Sequence, residues 1–418
     1  MRPLQLLAML ITLATALSAC SPPPQPRQRG ILQHSTDPAF VHGTDHSQVD
    51  RIAATVVTDL QQYWAETFPR AFQQPWRDLD GGFFSVDTTG NGNPPPCATA
   101  PADVAGNAFY CATVDAIAWD RSALLPVLAE HHGQAAIALV LAHETGHAVQ
   151  QRLGVDLGDN NTRLETTADC YAGAYFRWAA DGNSPHLRLD DDDIDTALRT
   201  LSVFYDHTPS GNNAHGTAFD RTTAFQHGYR NGPAACPAHQ PQHITSPTPA
   251  THHAPDAQLP DINEFFQQYV TDRGGTWQPP AHNPDSCRPA PAPVAVCLDP
   301  PAVRTDQQAL DDMRYEIGDH ATTAALAAHH ALIALHQLHQ PVTGRDATRR
   351  TSCLTGAYLR WRATTTGLAA ADLDEALNAV LTDPTTTRDA TGHNPLTGHE
   401  RTSAFRTGLL TGTPGCDP

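Results

Sequence analysis

His143, Glu144 and His147 stand within LVLAHETGHAVQQ at residues 139–151. The longer run AAIALVLAHETGHAVQQRL, 135–153, has apolar residues at helical spacing and no proline. That pattern predicts a helix. Two side chains four residues apart share one helix face. A pair of neutral imidazoles on one face can bind Zn2+, and Glu144 would lie beside them as a general base. The spacing also suits a buried helix whose histidines are satisfied within the core. A third ligand decides between the two readings.

The stretch RLETTADCYAGAYFRW, 163–178, supplies one. It reads as a second helix with Glu165 and Asp169 on one face. Glu165 could ligate the metal directly, leaving a fourth position open for water. Asp169 could accept a hydrogen bond from the far ring nitrogen of a ligand histidine and so set its tautomer. Acidic residues at a helix start also suit the helix dipole, so Glu165 has a plainer explanation too. Two crossing helices presenting His, His and Glu inward resemble the thermolysin-like arrangement of gluzincins.

The chain repeats its own vocabulary, and the repeat is informative. CYAGAYFRW at 170–178 returns as CLTGAYLRW at 353–361, and DIDTAL at 193–198 as DLDEAL at 372–377. RTTAFQHGYRNGPAAC at 221–236 returns as RTSAFRTGLLTGTPGC at 401–416. LQQYW at 60–64 is echoed by FQQYV at 266–270. The order is kept throughout. The expected organisation is a signal segment over 1–20, a disordered Pro-rich tether over 21–44 and a catalytic domain over 45–236. A Pro-, Thr- and His-rich linker over 237–256 and a degenerate second copy over 257–418 follow.

Aligning the copies tests the metal reading from inside the chain. His143 falls opposite His329, Glu144 opposite His330, His147 opposite Ile333, Glu165 opposite Thr348 and Asp169 opposite Ser352. The scaffold words survive while the presumed metal set is lost nearly as a group. One zinc per chain is therefore expected, held by the first copy. His215 falls opposite Pro395 and disappears with the ligands. That fits a hydrogen-bond donor to the oxyanion of a polarised carbonyl, and equally a loop histidine lost by drift. Tyr229, opposite Leu409, has a weaker claim of the same kind.

The N-terminus carries one Arg before an apolar run that ends in LSAC at 17–20. This reads as a secretion signal with a lipobox, placing a lipid anchor on Cys20 and the protein outside the bacterial cytoplasm at the membrane. The formal charge of −18 argues against nucleic acid as a partner. Of nine cysteines, eight remain beyond Cys20. An even number outside the cytoplasm suggests disulfides, and eight cysteines allow about 105 pairings. The repeat narrows them to bonds closed within each copy: Cys97–Cys111, Cys170–Cys236, Cys287–Cys297 and Cys353–Cys416.

FYCATVDAIAWD (109–120), LAHETGHAVQQRLG (141–154), LETTADCYAGAYFRW (164–178) and HGTAFDRTTAFQHGY (215–229) occur in the order seen in a bacterial family of neutral zinc metallopeptidases. The resemblance covers most of the first copy. It implies a zincin-like fold, zinc at His143, His147 and Glu165, and Glu144 as the catalytic residue. The expectation is a mainly α protein that hydrolyses peptide bonds in a peptide or protein substrate. A cell-surface binding lipoprotein using the zinc fold as a scaffold, and an amidase acting on cell-wall peptides, are the rival readings. Glu144 is not needed to hold metal, so its presence favours an enzyme.

Overall fold

The computed structural model describes residues 30–156, 162–203, 216–240, 259–287 and 293–417. The signal segment, Cys20 and His215 lie outside them. The chain is mainly helical. Helix α1 (Gln48–Phe72) starts at Ser47, whose hydroxyl accepts from the Asp50 amide. A small sheet follows, with strands β1 (Gly82–Val86), β2 (Ala108–Cys111) and β3 (Ala116–Asp120). Its order is β1-β3-β2, with β1 parallel and β2 antiparallel to β3. The short α2 (Leu124–Val127) leads to α3 (Gln134–Arg152), α4 (Thr162–Ala180), α5 (Asp191–Leu201) and α6 (Ala218–Asn231).

The second half runs through the same order. Helix α7 (Leu259–Thr271) precedes β4 (Ala281–His282), β5 (Val294–Cys297) and β6 (Ala302–Thr305), in a sheet of order β4-β6-β5. Again the first strand is parallel and the second antiparallel to the third. Helices α8 (Gln307–Glu316), α9 (Asp319–Gln337), α10 (Gly344–Thr365), α11 (Ala370–Thr382) and α12 (Gly398–Thr411) complete it. Among the described residues two large apolar cores form, one per half, with a small third cluster of Val86, Val104 and Ala118 beside the first sheet. Leu381 of the second half joins the first core, while Ala218 and Phe219 join the second. The described residues from Ile31 onward form one compact unit.

The repeated words sit at close helix crossings. A Cβ on Gly173 would lie 2.0 Å from the Phe225 carbonyl oxygen, and one on Gly356 2.0 Å from that of Phe405. Only glycine lets α4 meet α6, and α10 meet α12, at that distance. Disulfides reinforce both crossings, Cys170–Cys236 and Cys353–Cys416. Cys97–Cys111 and Cys287–Cys297 close the two sheet regions.

The tether expected to reach residue 44 ends earlier. Ile31 and Val41 are buried in the first core, and Leu32 bridges to Leu187. Two apolar anchors in fourteen residues leave no periodicity, so the packing is invisible to pattern reading. Likewise His239, at the head of the expected linker, is buried, and the 3-10 helix over Pro233–Ala238 runs into that linker. Among the described residues no helix is long and apolar enough to cross a membrane.

Candidate metal centre

Helices α3 and α4 cross with their backbones nearly touching. A Cβ on Gly146 would stand 2.9 Å from both the Cα and the carbonyl oxygen of Ala168. Gly146 therefore brings the face bearing His143 and His147 directly onto the face bearing Glu165 and Asp169. His143 Nε2 lies 3.2 Å from His147 Nε2 and 3.3 Å from Glu165 Oε2. His147 Nε2 lies 3.7 Å from Glu165 Oε1. Ligands about 2.0–2.1 Å from a tetrahedral zinc stand about 3.3–3.4 Å from one another. The spacing fits that ion. Among the described residues, this is the group of histidine and carboxylate side chains that converges closely enough to hold one.

The hydrogen bonds behind the rings fix their chemistry. His143 Nδ1 is 2.8 Å from Asp169 Oδ1, and His147 Nδ1 is 2.9 Å from Gln150 Oε1. The Gln150 amide nitrogen donates to the Leu164 carbonyl at 2.7 Å, which turns its oxygen toward His147. Both outer nitrogens thus face acceptors and carry the proton. In the neutral rings both Nε2 lone pairs then point at each other and at a carboxylate, a donor set suited to a metal cation.

Asp169 is fully buried and held in turn by Arg221. Its guanidinium donates through Nε at 2.7 Å and Nη2 at 2.9 Å to the two carboxylate oxygens. Burial alone would raise the Asp169 pKa, but Arg221 and then His143 hold it well below the usual carboxylate range. Burial opposes charge on His143 as well. Asp169 and Glu165 outweigh that opposition and lift it to about 10, so without metal a proton occupies the place of a cation. Burial and the charge of His143 depress His147 to about 4. Burial would raise Glu165, yet His143 brings it to about 2.

Glu144 projects beside this group and is 8% exposed. Its Oε2 accepts from the Tyr110 amide of edge strand β2 at 2.9 Å. Burial pushes its carboxyl up to about 7, against the charge of His143. A carboxylate with so poor a hydration shell is a ready proton acceptor near neutral pH. Tyr229 is not brought to the group. Its ring packs against His399 with centroids 4.9 Å apart and lies under Arg177.

Three contributors escaped the sequence reading. Gln150 follows His147 by three residues, so the helix period could have nominated it. Arg221 recurs as Arg401, and comparing the halves therefore concealed it. The Tyr110 contact uses only backbone, which leaves no residue-type signal.

At the corresponding place in the second half, His329 donates through Nδ1 to the Ala325 carbonyl at 2.7 Å. The Arg388 Nε lies 3.5 Å from His329 Nε2. A guanidinium thus stands where a cation would be needed. Arg401 instead donates to the carbonyls of Val380, Leu381 and Leu396.

The fold and this donor set agree with what comparison with known proteins finds. Residues 24–239, just over half the chain, match the family described as "Putative neutral zinc metallopeptidase", and the chain belongs to that family. It is 32% identical over 164 residues to Uncharacterized protein Rv2575 of Mycobacterium tuberculosis and, equally, to Uncharacterized protein Mb2605 of Mycobacterium bovis. Each match takes in 32% of this chain and 55% of the relative, so the chain spans about half the length of these relatives. No solved structure matches it.

Proposed function

We propose that the protein is a zinc-dependent peptidase acting outside the bacterial cytoplasm, tethered to the membrane by a lipid on Cys20. The observation that carries the catalytic part is the convergence of two Nε2 lone pairs and the Glu165 carboxylate with Glu144 alongside. The anchor rests on LSAC at 17–20. His143, His147 and Glu165 would hold the zinc ion, which when bound would supply a Lewis acid for the scissile carbonyl and for water. Glu144 takes the proton of the attacking water and delivers it to the leaving amine. The Tyr110 amide keeps the Glu144 carboxylate aimed. Asp169 and Gln150 hold the two imidazoles with Nε2 inward, and Arg221 keeps Asp169 ionised at the pH of catalysis.

The second half is read as a copy that lost the metal set and kept the fold. Thr348, Ser352 and Ile333 offer no replacement ligands, and Arg388 faces the one histidine that remains. Elemental analysis of the purified protein should therefore find one tightly held zinc per chain. A broad peptide-library digest should show cleavage that a chelator abolishes and added zinc restores. Two tight zincs per chain, or cleavage that survives in metal-stripped protein, would contradict the reading.

A further inference from the structure

The halves meet through two contacts that mirror each other. Asp195, the fifth residue of α5, accepts from the Gly398 and His399 amides at 2.7 and 2.6 Å. Those are the first two residues of α12. Asp374, the fifth residue of α11, accepts from the Ala218 and Phe219 amides at 3.2 and 2.9 Å. Those are the first two residues of α6. Each half thus caps the terminal helix of the other. The remaining early amides are served locally. The Thr217 and Thr397 hydroxyls accept from Asp220 and Glu400, and their carbonyls accept from Arg221 and Arg401. The first four donors of both helices are satisfied only when the opposite half is in place.

What lies beneath the two caps differs. Two residues past Phe219 comes Arg221, which grips Asp169, which in turn sets the His143 ring. Two residues past His399 comes Arg401, whose guanidinium donates to the backbone carbonyls of Val380, Leu381 and Leu396 in its own half. We infer that Asp374 is a positioning residue for the metal centre. The half without ligands fixes the start of α6, and α6 fixes the arginine that orients a ligand histidine. This rests on the zinc reading above and adds to it a role for the second half that needs no chemistry of its own. Gln226 reinforces the arrangement, donating to Thr402 Oγ1 at 2.9 Å and the His399 carbonyl at 3.2 Å.

The mirror contact provides the control. In the full chain, Asp374→Ala and Asp195→Ala each remove two cap bonds and should both lower the thermal midpoint. Only Asp374→Ala should weaken zinc binding, measured by competition with a chromophoric chelator. The expected loss is about 3- to 10-fold, below the about 10- to 100-fold seen when a ligand's direct partner is removed. Should Asp374→Ala fail to fold, Asp374→Asn and Asp195→Asn, which keep one accepting oxygen, give the same comparison at smaller amplitude. Equal loss of zinc affinity in both variants, or unchanged affinity in the Asp374 variant, overturns the proposal. Failure of the wild type to bind zinc would instead overturn the metal site itself.

Discussion

Glu144→Gln is expected to keep its zinc and its fold and to lose nearly all peptide hydrolysis. Glutamine has the same shape, and its carbonyl oxygen can still accept from the Tyr110 amide, which lies 2.9 Å from the Glu144 carboxylate. Packing and metal content should therefore be unchanged. The amide cannot take a proton from water or return one to the amine. Loss of a positioned general base lowers kcat by about 10²–10⁴-fold. Zinc content, thermal midpoint and turnover measured on one preparation separate the outcomes. Zinc loss would make Glu144 structural, and unchanged turnover would remove it as the base.

Arg221→Met should have the largest effect on stability. Asp169 is completely buried, and Arg221 engages both its oxygens. Removing one partner of a buried pair leaves an uncompensated charge and costs about 3–5 kcal/mol. Denaturant unfolding should report that loss. Chelator competition should show weakened zinc, because Asp169 must protonate or turn away and His143 loses its orientation. Adding Asp169→Asn to Arg221→Met removes the stranded charge, so part of the stability should return. Zinc affinity should not recover, since a neutral amide is a weaker acceptor for the imidazole N–H. A double variant no more stable than the single one would show that Arg221 acts through packing rather than charge.

Much of the metal centre was legible because helices translate spacing into direction. His143 and His147 at i and i+4, and Glu165 and Asp169 at i and i+4, each commit two side chains to one face. The recurring sequence words then separated positions that persist between the halves from positions that change. The same comparison had a blind side. Arg221 recurs as Arg401 and Asp374 matches Asp195, so neither stands out by comparison, although Arg221 grips Asp169 beside His143 and Asp374 of the other half caps the helix that carries it. Their importance depends on Asp169, which stands opposite Ser352 and which Arg221 grips directly and Asp374 reaches only through the start of α6. The cross-half caps carry no periodicity at all. They depend on how two folded surfaces meet, which no local pattern records. The segment 31–44 was missed for a related reason, since isolated anchors such as Ile31 and Val41 leave no rhythm.

The central claim is that two imidazoles and one carboxylate hold the metal, with the cysteines elsewhere. Zinc K-edge X-ray absorption on the purified full-length protein measures that directly. The structure predicts only nitrogen and oxygen neighbours, at about 2.0–2.2 Å, with outer-shell scattering from two imidazole rings. A sulfur neighbour at about 2.3 Å, or scattering from fewer than two imidazoles, would contradict the assignment of His143, His147 and Glu165.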